Sequence, residues 1–394
     1  MFQHWLPATV RFAGIATVSL GLGLVGCSQE PVVQSDDAAA ETTTEEVSVE
    51  LPQVVATTSV ICDLTEQIAQ DTIALTCLMD PGQDPHTYQA KPSDRQAIDE
   101  ADLVLYDGYD FAPGLIGLVD ASSNSAPKVA VYEAAVTDPL MGAGHDHDHG
   151  HGHDHAEGEA HDHDHAEGED HDHDHAEGEA HDHDHEHAED HDHDHAGGEA
   201  HDHGEGELVA DPHIWHNAAN NAAIAEVIAT NLAQVNPDQA EVYEQTVGTL
   251  TEQFAELDTW IQTQVDTIPA GNRNLVTTHD AFRYYADAYG IDVKGALSGL
   301  STEEQPSAAM LTGLVDQVKA AQVPAIFAES TTNPDLINTV ASNAAVKVAE
   351  QPLFVAGPGG DGTAAATTQE MLVANTCTIV NALGGTCDEG DAPI

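Results

Sequence analysis

Apolar residues fall along this chain in two blocks of similar grammar, set either side of a stretch that has almost none. In the first block the β-branched run Gln53–Ile61 (QVVATTSVI) predicts a strand and Leu64–Gln70 a short helix. Thr72–Met79 predicts a second strand, broken by Asp80-Pro81-Gly82, a turn signal that delivers Gln83–Tyr88 into a loop at the strand's end. Lys91-Pro92-Ser93-Asp94 caps a helix over Arg95–Ala101, Leu103–Tyr106 is a third strand and Lys128–Val131 a fourth. Strands alternating with helices predict a parallel α/β sheet, in which ligands gather at the carboxyl ends of the strands.

A helix is predicted over Ala218–Val235, with a break at Asn236-Pro237-Asp238. In the next segment, 239–268, Tyr243, Val247, Leu250, Phe254, Leu257, Ile261, Val265 and Ile268 recur at steps of three and four, an amphipathic stripe. A helix of that length spans about 45 Å at about 1.5 Å per residue, more than one small lobe needs, and can act as a stiff strut between two. The second block then repeats the grammar of the first. Strands are predicted at Asn274–Thr278, Ile291–Leu297, Ala325–Ala328 and Val346–Ala349, with helices at Ala281–Tyr289, Ser307–Ala321, Pro334–Asn343 and Thr367–Leu383. The expected fold class is α/β: two pseudo-symmetric lobes with parallel sheets, joined by a long rigid helix.

The stretch between the blocks, His145–Glu207, is a tract of His, Asp, Glu, Gly and Ala that holds 21 of the chain's 26 histidines and 25 of its 69 acidic residues. With no Ile, Val, Leu, Phe or Trp it cannot build a core. A solvated acidic spacer would account for its carboxylates but not for imidazoles repeated as H-D-H-D-H. Imidazole suits zinc, copper and nickel, so the tract reads as a low-complexity metal-gathering segment. Nine Lys and Arg against 69 Asp and Glu make nucleic acid and anionic membrane surfaces poor partners, and cations natural ones.

Arg11 precedes an apolar run, Phe12–Val25, that is short for a bilayer span and leads into polar sequence, as in a signal peptide. The run ends Leu24-Val25-Gly26-Cys27, which resembles a bacterial lipobox, so Cys27 is expected to carry lipid and to begin the mature chain, a lipid-anchored periplasmic protein. Residues 27–50 then form a disordered tether. Four further cysteines, Cys62, Cys77, Cys377 and Cys387, suit disulfides in an exported compartment. Three connectivities are possible. Proximity in sequence favours Cys62–Cys77 and Cys377–Cys387.

Outside the tract lie His4, His86, His213, His216 and His279. Asp-Pro-His occurs twice, at 84–86 and 211–213, with proline fixing the backbone before each histidine; His279 ends a predicted strand. A lone histidine is more often structural. Three at loop or strand ends, in an exported chain with a histidine tract, point to a metal site of three imidazoles with one open position.

In combination and order, PGQDPHTY, KPSD, DPHIW, TTHDAFRYYADAYG, STEEQPSA and AIFAE resemble the ZnuA-type zinc-binding solute-binding proteins of metal ABC transporters. The resemblance covers nearly all of residues 53–384. It implies one Zn2+ in the cleft between two lobes, held by His86, His213 and His279, and delivery to a membrane permease by a non-enzymatic, monomeric binding protein. It also implies a division into leader 1–26, tether 27–50, first lobe 51–144 and 208–238, metal-binding loop 145–207, linking helix 239–268 and second lobe 269–394. Manganese-binding relatives carry a carboxylate in place of His279, and many supply an aspartate where this chain has Ala356. The fourth position therefore falls to water, a tract residue, or a carboxylate such as Glu329 or Asp361. His216 sits at a variable position of the pattern, Asp280 is a candidate to orient a ligand, and Trp215 is expected to pack. A zinc hydrolase lacks support because no HExxH is present; the alternative is an adhesin, chaperone or store not coupled to transport.

Overall fold

A computed structural model describes residues 51–143, 208–303 and 306–394, so the expected leader, tether and histidine tract lie outside the described residues. In the first lobe β1 (Gln53–Ala56), β2 (Ala74–Cys77), β3 (Leu103–Tyr106) and β4 (Lys128–Ala130) form a parallel sheet of order β2-β1-β3-β4. Alternation splits the strands between two cores: Val54, Ala56, Leu103 and Leu105 face one way, Val55 and Val104 the other. Helices α1 (Ser59–Ala69), α2 (Pro92–Glu100), α3 (Pro113–Ala121) and α4 (Val131–Ala135) fill the connections.

The strand expected through Ile61 stops at Ala56, because Val60, Ile61, Leu64 and Ile68 recur at helical spacing and are buried on α1. Helix α2 begins earlier than expected, at Pro92: proline is tolerated in a first turn, and Asp94 Oδ2 accepts the Lys91 N–H at 2.8 Å. The short helices α3 and α4 were not anticipated, nor was an antiparallel ribbon, β5 (Met141–Ala143) paired with β6 (Leu208–Ala210), whose inner ends adjoin the tract.

Helix α5 (Ala218–Val235) leads into α6 (Ala240–Asp266), the long helix; its stripe is buried from Tyr243 through Leu250, Phe254, Leu257 and Ile261 to Val265. At 27 residues it runs about 40 Å, packing on α1 and α5 of the first lobe and on α7 (Arg283–Tyr289) and α10 (Thr368–Ala382) of the second. The second lobe pairs β7 (Asn274–His279) parallel with β8 (Asp292–Ser298), and β9 (Ala325–Ile326) parallel with β10 (Lys347–Val348). The Phe327 N–H donates to Val276 O at 3.0 Å and joins the two pairs. The resulting order, β8-β7-β9-β10, repeats the first sheet's order, second strand outermost and first strand inside it. Helices α8 (Ala308–Ala321) and α9 (Asp335–Ala344) cover the outer face, and Gly290, at φ 70°, ends α7 in the left-handed conformation that glycine tolerates.

One core runs through both lobes, from Val54 and Trp215 to Leu275, Met371 and Leu383. Polar bonds stitch the same seam. Asp63 on α1 accepts the N–H of Thr368 at 2.8 Å and its hydroxyl at 2.5 Å, capping the start of α10. Gln67 and Gln369 exchange amide hydrogen bonds beside it, and Ser59 Oγ donates to Ala356 O at 3.2 Å. The disulfides are Cys62–Cys77 and Cys377–Cys387, the pairs that proximity favours.

The cap at the seam gives a test. Asp63→Ala strands the first-turn donor of α10 inside the seam and is expected to cost about 1–3 kcal/mol. Urea unfolding should show it, while Asp71→Ala, at an exposed turn, should stay within about 0.5 kcal/mol of the parent.

Candidate metal centre

Three segments bring histidines to one point. His86 lies in the loop after β2, His213 between β6 and the 3-10 turn Ile214–His216, and His279 at the last position of β7. Their accessibilities are 5%, 1% and 2%, so none is a surface group that happens to be near the others. His213 Nε2 stands 3.3 Å from His86 Nε2 and 3.3 Å from His279 Nε2, and the ligand atoms of all three lie within 4.8 Å of one another. Nitrogens at about 2.0–2.1 Å from a tetrahedral zinc would be separated by about 3.3–3.4 Å. The spacing is that of donors around an ion, and two of the segments belong to one lobe and the third to the other.

Both Asp-Pro-His segments fold alike. Asp84 Oδ1 accepts the His86 N–H at 3.1 Å, and Asp211 Oδ1 accepts the His213 N–H at 3.0 Å. The aspartate closes a turn onto the histidine two residues on, while the proline holds the chain between them. Asp211 does more, since the same oxygen lies 2.9 Å from His213 Nδ1. In the other lobe Glu329 follows β9 and is fully engaged with His279: Oε1 accepts its N–H at 2.9 Å and Oε2 lies 2.6 Å from its Nδ1. With Nδ1 spent on a carboxylate, each ring presents Nε2 as the donor. Across the cleft Thr302 Oγ1 donates to Asp84 Oδ2 at 2.5 Å.

Burial and charge tune these groups in opposite directions. Burial lowers His213 well below the ordinary histidine value, aided by the nearby His279. Burial also works to lower His279, but the charge and hydrogen bond of Glu329 outweigh it and leave it raised. Asp211 is pushed up to about 7, chiefly by burial. A cation arriving at the site therefore finds His213 already neutral and competes with a proton at His279.

The expected supporting cast is partly redrawn. Glu329, a candidate fourth ligand, has both oxygens turned to His279 and orients that ring instead. Asp361 is exposed and outside the cluster of three. Ala356 offers only backbone, and its carbonyl takes the Ser59 bond. Asp280 does not hold a ligand ring: its Oδ2 lies 3.7 Å from Arg283 Nε, and its backbone N–H donates to Gly299 O. His216 is fully buried, but its Nε2 is 3.1 Å from Val355 O and its ring stacks on Phe282 at 4.2 Å, so it braces the loop after β10. Trp215 packs, as expected, against Phe111 at 4.6 Å and Tyr132 at 5.5 Å. The orienting roles of Asp211 and Glu329 escaped sequence reasoning. The repeated Asp at the same offset was a usable signal for the first; nothing local marks the second, 50 residues from its partner.

Two α/β lobes on a long helix, with a buried polar cluster between them, define a class of extracytoplasmic binding protein, and comparison with known proteins makes the family plain. The family described as zinc-uptake complex component A, periplasmic, matches residues 54–382. The chain belongs to that family. The manganese-binding lipoprotein MntA of Halalkalibacterium halodurans is 27% identical over 364 residues, covering 92% of this chain and 95% of that protein. The zinc-binding protein TroA of Treponema pallidum is 27% identical over 336 residues, covering 84% and 89%. The solved structure of periplasmic zinc-binding TroA superposes with a TM-score of 0.65 at 26% identity, over 84% of this chain and 99% of that one. This is a substrate-binding component of a metal ABC transporter, a non-enzymatic role whose partners are a permease and a metal ion. Relatives carry names for manganese and for zinc alike, so membership alone does not fix the metal. Among the described residues no helix is long and apolar enough to cross a membrane.

Glu329→Gln should weaken metal binding about 10–100-fold, read by competition with a chromophoric chelator. Because His279 is raised above the usual histidine value of about 6.5, protons should begin to displace metal above that pH. Affinity measured from pH 8 down to pH 5 should therefore fall earlier than an unperturbed histidine would require, and Glu329→Gln should move the fall to lower pH.

Proposed function

We propose that this chain captures Zn2+ outside the cytoplasm through His86, His213 and His279 and presents it to the transporter's permease for uptake. The observation that carries this reading is the convergence of three buried histidines, with His213 Nε2 3.3 Å from the Nε2 of each of the other two, where Asp211 and Glu329 are turned to the far nitrogens of His213 and His279. A donor set of nitrogen suits zinc, whereas manganese prefers oxygen. The fourth position falls to water or a tract residue, since Glu329 is turned to His279 and Asp361 lies outside the cluster. Cys27 anchors the mature chain through lipid, residues 27–50 tether it, and the chain works as a monomer with the lobe boundaries set out above. The tract His145–Glu207 gathers metal at lower affinity and exchanges it with the central site. Its setting supports this, because the ribbon that closes its base runs directly into Asp211 and His213.

Calorimetric titration of the mature chain, beside a variant lacking 145–207, tests the reading. One tight zinc site should survive the deletion while weaker sites disappear, and equimolar manganese should leave the tight site undisturbed. Manganese binding as tightly as zinc would overturn the choice of metal. Loss of the tight site with the tract would make the tract the receptor. His279→Glu, which trades nitrogen for oxygen, should weaken zinc by more than tenfold and narrow its advantage over manganese.

A further inference from the structure

The metal reading leaves Arg283 unexplained. It is one of nine basic residues in the chain, and it stands on the first turn of α7, four residues beyond His279. Its guanidinium is mostly covered, with a side-chain accessibility of 28%, and Nε lies 3.7 Å from Asp280 Oδ2. Its Nη1 is buried with no hydrogen-bond partner among the described residues. Two carboxylate oxygens share that condition: Asp280 Oδ1, and Asp211 Oδ2, the oxygen not engaged with His213. A buried carboxylate oxygen without a donor is costly, and the positive charges that act on both aspartates are those of Arg283 and His279.

The ribbon is built around the same side chain. A Cβ on Gly142 would stand 2.6 Å from Arg283 Nη1 and 2.6 Å from Leu300 Cδ1, so the ribbon lies close against the ends of both side chains. One step earlier the Leu140 N–H donates to the Tyr284 hydroxyl at 2.9 Å, and the Asp211 N–H donates to Leu140 O at 2.7 Å. First-lobe chain is thereby strapped to α7 of the second lobe at the point where it pairs with Asp211, two residues before His213.

We infer that Arg283 is a positioning residue for metal capture, a cation seated between Asp280 and the β5–β6 ribbon that holds the ribbon, and through it Asp211, in place behind the His213 ring. It cannot ligate, and it acts through Asp211. The inference rests on the three-histidine reading.

A double-mutant cycle on the mature full-length chain tests it, with zinc affinity measured by chelator competition and the visible spectrum of the Co2+ form as a second readout. Arg283→Met should weaken zinc about tenfold or more, the scale on which groups behind metal-bound histidines act. Asp211→Asn should do the same. The double variant should be no weaker than the weaker single by more than about twofold, because the two residues form one unit. Both singles should alter the cobalt band alike, and Arg283→Lys, which keeps the charge, should restore most of the affinity and the parental band. A structural Arg283 would instead lower the melting temperature of the metal-free protein and give losses that add to those of Asp211→Asn. Additive losses, or parental affinity in Arg283→Met, overturn the inference while the zinc site stands. If His213→Ala leaves the parent's tight binding intact, the three-histidine reading fails and this inference with it.

Discussion

Three imidazoles, with His213 Nε2 3.3 Å from the Nε2 atoms of both His86 and His279, are held together by nothing intrinsic to themselves. Lone pairs aimed at one point repel, and their hydrogen-bonding capacity in a buried site must be met from the far side of each ring. The structure meets it for two rings with carboxylates, Asp211 behind His213 and Glu329 behind His279. Each carboxylate is buried and would be expensive alone. Placed behind the rings, they become the negative charge that a divalent cation at the three nitrogens would neutralise. A doubly charged ion at the three nitrogens would offset the charge of these two carboxylates, which lowers the penalty for burying them.

That arrangement constrains the fold. His213 comes from one lobe and His279 from the other, so their spacing is set by how rigidly the lobes are joined. A hinged pair of domains would let it vary. Here the core is continuous through α1, α5, α6 and α10, Asp63 caps a helix of the opposite lobe, and Thr302 reaches over the cleft to Asp84. The long helix is buried along one stripe against elements of both lobes. Its role is less to separate the lobes than to hold them at one distance.

Much of this was legible in the sequence, and the exceptions share a cause. The strand and helix alternation, the α6 stripe and the three histidines are visible because each is a local signal: period, turn chemistry, or a motif repeated at 84–86 and 211–213. The β1–α1 boundary was misplaced because β-branched Val60 and Ile61 carry a strand propensity that tertiary burial on a helical face overrides. The β5–β6 ribbon was invisible because three-residue strands hold no period, and they pair across 64 intervening residues. Glu329 looked like a spare ligand because sequence shows a carboxylate at a strand end without showing which nitrogen it faces. Only the fold turns it toward Nδ1 and makes it an orienting group.

The same distinction separates what family membership settles from what this chain's residues add. The family supplies two lobes, a cleft and a metal, and its members bear names for both manganese and zinc. On the proposed reading, selection between those ions comes from the donor set, which is nitrogen at all three histidines. Ala356 and His279 offer no carboxylate, Glu329 has both oxygens committed to His279, and Asp211 commits Oδ1 to His213. An ion that prefers oxygen would gain Glu329 only by pulling it off the ring it orients. On the proposed reading, the choice of metal rests on the carboxylates' orientation as much as on the histidines themselves.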